Sequence, residues 1–206
     1  MKAYKYIIIF IILTVADPIG AFQQTPKEIG GVVLGKNIEA FENVLKMESA
    51  LPIRYAPFLK EVETKKLKGF KSGLINFGNC ESPGIIIRIK LKYENSSEKF
   101  YQNLLKRFKN RFGEPDEWRG DPFHVVIAWK WSFVNKDGKR TTLTLQHNTR
   151  DSSEKLGNSV KIARLDLEMA ERRCYEKKRP GYMKAKKGHK NKDQMKDLDW
   201  EWYLPR

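Results

Sequence analysis

The strongest constraint on this chain is a pair of alternating runs joined by a tight turn. Val125, Ile127, Trp129, Trp131 and Phe133 alternate with Val126, Ala128, Lys130 and Ser132. That period of two belongs to a strand with one buried face. Asn135-Lys136-Asp137-Gly138-Lys139 suits a type I turn closed by a glycine bulge, and residues 140–148 form the returning strand. The turn sets the register. It predicts Trp131 opposite Leu143, Trp129 opposite Leu145 and Ile127 opposite His147, so the large side chains share one face. A chain carrying such a hairpin must build an antiparallel sheet and cover that face.

The cover is legible upstream. Asn95 or Ser96 starts a helix, with Glu98 placed to close a capping box on Asn95. Tyr101, Leu104, Leu105, Phe108 and Phe112 form its apolar stripe, and Gly113 and Pro115 stop it. Before it, Ile85, Ile87, Ile89, Leu91 and Tyr93 alternate with Arg88, Lys90 and Lys92, which predicts a half-buried strand with a basic outer stripe. Residues 32–34, 58–67 and 74–80 are shorter strand candidates, with Lys71-Ser72-Gly73 as a turn. Asn37 is placed to cap an earlier helix carrying Ile38, Phe41, Val44 and Leu45 on one face. A last strand is expected over 159–167, with helix possible from Leu165, and residues 168–178 return Cys174 to the body. Residues 40–46 and 100–106 resemble each other at an offset of sixty, as a tandem helix-plus-sheet repeat would require. The fold class expected is α+β: an antiparallel sheet with two main helices packed on one face. Phe41, Leu45, Leu104, Phe108, Trp129, Trp131, Leu143 and Leu145 are expected in the core.

The ends read differently. Lys2 and Lys5 precede an apolar run from Ile7 to Ala16, ended by Asp17 and Pro18. This has the layout of a signal peptide, cleaved after Ala16 or Ala21, and the run is too short for a bilayer span. The organisation expected is a signal peptide over 1–21, a linker over 22–29, one domain over 30–176 and a basic tail over 177–206. The mature chain would carry no transmembrane span and would be periplasmic or secreted. Only two cysteines are present, Cys80 and Cys174, without the spacing of a redox or zinc motif. In an oxidising compartment they predict one disulfide. The net charge is +15, which favours anionic partners.

The segment 104–145 also has a recognisable order: a helix, Phe112-Gly113-Glu114-Pro115, Trp118, Trp129-Lys130-Trp131-Ser132-Phe133, a turn, and Leu143-Thr144-Leu145. It resembles the small envelope proteins of the SmpA/BamE type and the repeat of the β-lactamase-inhibitor proteins. The resemblance implies a non-enzymatic module that binds another protein through its sheet or loops. The chain departs from the pattern in lacking a lipidated cysteine near its start, and no binding residue carries over.

Enzymatic motifs are scarce. No nucleophile elbow, HExxH, phosphate loop or dinucleotide fingerprint is present. His124 and His147 lie on the hairpin, but alternation turns them to different sides, so no metal site, cofactor or catalytic group is assigned. Asp116, Glu117 and Asp121 cluster in a turn, where solvated acids are ordinary. A hydrolase using His147 or the acids near Asp121 is the alternative from another class, and a membrane-surface protein bound through the lysine tail is a third. The binding residues expected are Arg88, Lys90, Lys92 and Lys130, as a cationic stripe on the sheet. Without stacking rings on that face, an anionic protein or envelope surface fits better than nucleic acid. The function expected is that of an exported, non-catalytic binding or accessory protein, using this face and the tail.

Overall fold

The computed structural model describes residues 25–150 and 157–180; the segment expected to be a signal peptide and most of the expected basic tail lie outside them. A small hairpin of β1 (Glu28–Ile29) and β2 (Val32–Val33) leads to a 3₁₀ turn at Ile38–Phe41. A meander follows: β3 (Leu45–Ile53), β4 (Ala56–Thr64), β5 (Phe70–Gly78) and β6 (Ile86–Tyr93). Helix α1 (Glu98–Phe112) then opens a second meander of β7 (Glu117–Trp118), β8 (Val126–Val134), β9 (Arg140–Asn148) and β10 (Gly157–Arg164), closed by helix α2 (Leu165–Lys178). The strands form one eight-stranded sheet in the order β3-β4-β5-β6-β10-β9-β8-β7, antiparallel throughout.

The order reads the same from either end: two copies of a helical element plus four strands, joined where β6 meets β10. The two joining strands start 71 positions apart, at 86 and 157, and Lys90 and Lys161, also 71 apart, face each other across the join. The strand order is therefore symmetric about this pair of lysines. The sequence match at an offset of sixty does not coincide with this order: residues 100–106 lie in α1, whereas 40–46 run from the 3₁₀ turn into β3.

All three predicted hairpin pairs occur: Trp131 with Leu143, Trp129 with Leu145, and Ile127 with His147. The same row continues from Leu143 through Ile162, Ile89 and Ile75 to Val62, four strands further on. These residues form the core with Tyr101 and Phe112 of α1. Phe108 meets Trp131 edge-on, with ring centroids 6.0 Å apart, and the Trp131 indole N–H donates to the Gly113 carbonyl at 2.8 Å. Leu45, Trp131, Leu143 and Leu145 are buried, whereas Phe41, Leu104, Phe108 and Trp129 are half-buried against the core.

The two helices do not share a face. Helix α1 covers the Trp131 and Ile89 side. Arg88, one residue from Ile89 and turned the other way, pairs with Glu168 of α2 at 2.8 Å. Leu167 and Tyr175 of α2 pack on Phe58, Leu59 and Ile87, brought to that side by a bulge between β5 and β6.

The helix expected from Asn37 is also corrected. Asn37 does cap, accepting from the Glu39 N–H at 3.0 Å, but helix ends at Phe41 because Leu45 enters the sheet as the first residue of β3. The cap of α1 is Ser97, which accepts from the Phe100 N–H. Asn95 acts one step earlier, accepting from both the N–H and the hydroxyl of Ser97. The expected turn at 71–73 lies inside β5, and residues 28–29 of the expected linker form β1.

Cys80 and Cys174 form a disulfide with Cα atoms 5.9 Å apart. Among the described residues no helix is long and apolar enough to cross a membrane.

Candidate anion-binding face

The face opposite α1 divides in two. Helix α2 covers the half beside the disulfide. The other half is crossed by a row of one residue per strand: Lys46, Glu63, Leu74, Lys90, Lys161, Thr144, Lys130 and Glu117. Alternation puts them there because their neighbours Leu45, Val62, Ile75, Ile89, Ile162, Leu143 and Trp131 fill the core.

Charge along this row is arranged symmetrically. At one end Lys46 pairs with Glu63 at 2.9 Å; at the other Lys130 pairs with Glu117 at 3.0 Å. In the centre Lys90 and Lys161 stand directly opposite each other, and neither makes an ion pair among the described residues. Like charges at directly opposed positions destabilise a sheet. Burial holds the Lys161 ammonium below the usual lysine range, and the charges of Arg88 and Lys90 add to the effect. Glu168 acts the other way, but its carboxylate is bonded to Arg88.

The four residues expected from sequence share this face but differ in availability. Arg88 lies beside α2, held by Glu168 at 2.8 Å and by the Asn76 side-chain carbonyl at 3.2 Å. Lys130 is neutralised by Glu117. Lys90 and Lys92 lie toward the open end of the face. Sequence reading did not select Lys161, Lys46 or the lysines of the β4–β5 turn. Lys161 was accessible to it, since Val160 and Ile162 alternate with Ser159, Lys161 and Ala163.

Beside Lys90 the face deepens into a hollow of about 420 Å³ lined by Lys46, Lys65, Lys66, Lys71, Lys90 and Lys92, with Ser72, Ser159 and Leu74 between them. The turn that brings Lys65, Lys66 and Lys71 together is fixed by Gly69 at φ 80° and by the Phe70 N–H bonded to the Leu67 carbonyl at 3.0 Å.

The residues of the hydrolase alternative are held in structural roles. His147 is buried, stacked on Tyr101 with centroids 5.2 Å apart, and its Nδ1 lies 2.7 Å from the Asn158 side-chain oxygen. His124 sits instead in the β7–β8 loop against Trp118. Asp116 accepts from the Ser132 N–H, and Asp121 accepts from the N–H groups of Phe123 and Val126. Arg119 and Lys130 hold the Glu117 carboxyl below the usual range. Neither the lysine hollow nor a second one of about 880 Å³, between the β1 end and the β8–β9 turn, is lined by His147 or Asp121. Among the described residues no group of three potential metal ligands occurs.

Comparison with protein-family models, curated proteins and solved structures gives no match.

Proposed function

We propose that this is an exported, non-catalytic binding or accessory protein that holds an anionic partner on the open half of its basic sheet face. The observation that carries this is the Lys90–Lys161 juxtaposition. Two half-buried ammonium groups facing each other, with Arg88 close by, cost stability in the free protein, and an anion laid across them removes that cost. The ion pairs at both ends of the row leave the unneutralised charge at its centre. Trp129 and Trp131 face the core, so the row offers charge without the stacking rings that a nucleic-acid sheet adds.

Export is supported by the disulfide and by the signal-like start of the chain. The paired helix-and-meander plan supports the resemblance to small envelope binding modules. Segment 177–206, which starts in the last turn of α2, adds positive charge and is read as a second contact.

The test is binding to vesicles of phosphatidylglycerol, to neutral phosphatidylcholine vesicles and to polyaspartate, each across a salt series. The reading expects binding to at least one anionic probe that weakens as salt screens the face, and that falls in a Lys90→Ala/Lys161→Ala variant. Equal binding by the variant and the parent would remove the face as the site.

A further inference from the structure

We infer that the lysine hollow between the β4–β5 turn and the start of β10 is a binding site for a ligand carrying two or more phosphoryl groups. This rests on the reading of the face as anion-binding and narrows it to a ligand class and a place.

Three features of the hollow carry the inference. The first is the kind of cation. Among the described residues six lysines and no arginine line it. Arginine forks suit carboxylate and phosphate in one fixed geometry, whereas lysine binds phosphate as a compact point charge, so a wall of lysines accepts successive phosphoryl groups without a fixed fork. Two serine hydroxyls, Ser72 and Ser159, add neutral donors at the same wall.

The second is the excess of charge. Among the described residues Glu63 is the one acid in the lining, and it is paired with Lys46. Lys66 has Glu94 at 3.8 Å, across the rim, and Lys65 donates to the Glu42 carbonyl at 3.1 Å, which carries no charge. Lys65, Lys71 and Lys90 make no ion pair among the described residues, so three ammonium groups at one wall match a multiply charged ligand.

The third is size. About 420 Å³ falls within the range of small-ligand sites. It admits a head group or short oligophosphate and is too small for a helix. Leu74, half-buried at its floor, gives a patch of apolar surface under the scaffold joining the phosphates.

The ligand could be a free oligophosphate or a phosphorylated lipid head group. Both present the same chemistry to the hollow, and the test separates them. Inorganic tripolyphosphate is titrated into the full mature chain by calorimetry. The parent is compared with a Lys66→Ala/Lys71→Ala variant and with a Lys27→Ala/Lys36→Ala control that removes equal charge elsewhere. All four positions are exposed, and thermal unfolding confirms that each variant folds. The hollow pair is expected to weaken binding about tenfold or more, with the control within about twofold. Equal losses in both variants would mean that net charge alone binds the probe, and would overturn the site.

Vesicles containing phosphatidic acid form the second arm. Capture on them that tripolyphosphate displaces assigns the hollow to a lipid head group, and tripolyphosphate binding without capture assigns it to a soluble ligand. If tripolyphosphate does not bind while phosphatidylglycerol or polyaspartate binding still depends on Lys161, the hollow falls and the face stands. If no anionic probe binds, both fall.

Discussion

The backbone N–H of Cys80 donates to Oε2 of Glu171 at 2.7 Å, while the sulfur of Cys80 is bonded to Cys174, one turn further along α2. The same carboxylate accepts from Asn79 and Glu81 at 3.1 Å and from Ser82 at 2.6 Å. Loop 79–82 thus wraps a buried acid, and the disulfide fastens the same loop to the same helix. Glu171 is 1 % exposed, and its two carboxyl oxygens accept from all four of these N–H groups.

Glu171→Ala leaves those donors without their acceptor. Water reaches part of the loop, so the expected loss is about 2–4 kcal/mol rather than four full desolvation penalties. Glu171→Gln should cost less. Its one carbonyl oxygen can still serve the three donors on the Oε2 side, while its NH₂ faces the Ser82 N–H. Urea unfolding of both variants checks the order; a neutral Glu171→Ala would show that the carboxylate does not hold the loop.

The disulfide closes a long loop, with its cysteines 94 positions apart. In the chain-entropy model its removal costs about 4–5 kcal/mol. Because Glu171 holds the loop independently, Cys80→Ser/Cys174→Ser should remain folded, with native far-ultraviolet circular dichroism and a lower unfolding midpoint. Loss of the native spectrum would mean that the covalent link alone secures α2.

Trp131 and Trp129 should differ despite their equivalent places in the pattern. Trp131 is 1 % exposed and bonded to Gly113, so Trp131→Ala should cost about 3–5 kcal/mol. Trp129 is half-buried, with the Lys109 ammonium 6.0 Å from its ring, and should cost less. Equal losses in chemical denaturation would contradict the packing described.

Asp121 gives a pH dependence. The N–H groups of Val126 and Phe123 hold its carboxyl below the ordinary aspartate range. A carboxyl lowered in the folded state adds stability that is present above its unfolded value, near pH ~3.9, and is lost as pH falls through the folded value. As pH falls from about 4 through that lower folded value the 121–126 loop should open progressively, seen as faster amide exchange at Val126, while Ile162 in the sheet centre stays protected. Simultaneous loss at both positions would place the acid-sensitive group elsewhere.

Much of this architecture was legible in the sequence because its signals are local. The 125–148 hairpin declares its register through alternation and one turn, and α1 has a full apolar stripe. Helix α2 was harder to see. Its contacts with the rest of the molecule are largely polar or covalent, through Asp166, Glu168, Glu171 and Cys174, so its apolar period is weak. Residues 38–45 carry a helical spacing that β3 overrides, because Leu45 is worth more in the sheet core than in another turn of helix. The stretch 47–50 then bulges between Lys46 and Leu51, which scrambles any alternation. The basic stripe was legible strand by strand. The meeting of Lys90 with Lys161, and the gathering of Lys46, Lys65, Lys66 and Lys71 beside them, depend on pairings between distant segments.

Lys161→Met tests the central claim most directly, because stability and binding should move in opposite directions. The substitution keeps the stem and removes a charge whose ionised form the fold disfavours. The account predicts a variant more stable at pH 7 by about 0.5–1 kcal/mol, with clearly weaker binding to the anionic probe that the parent holds. A variant that is less stable, or that binds that probe as well as the parent, would contradict it.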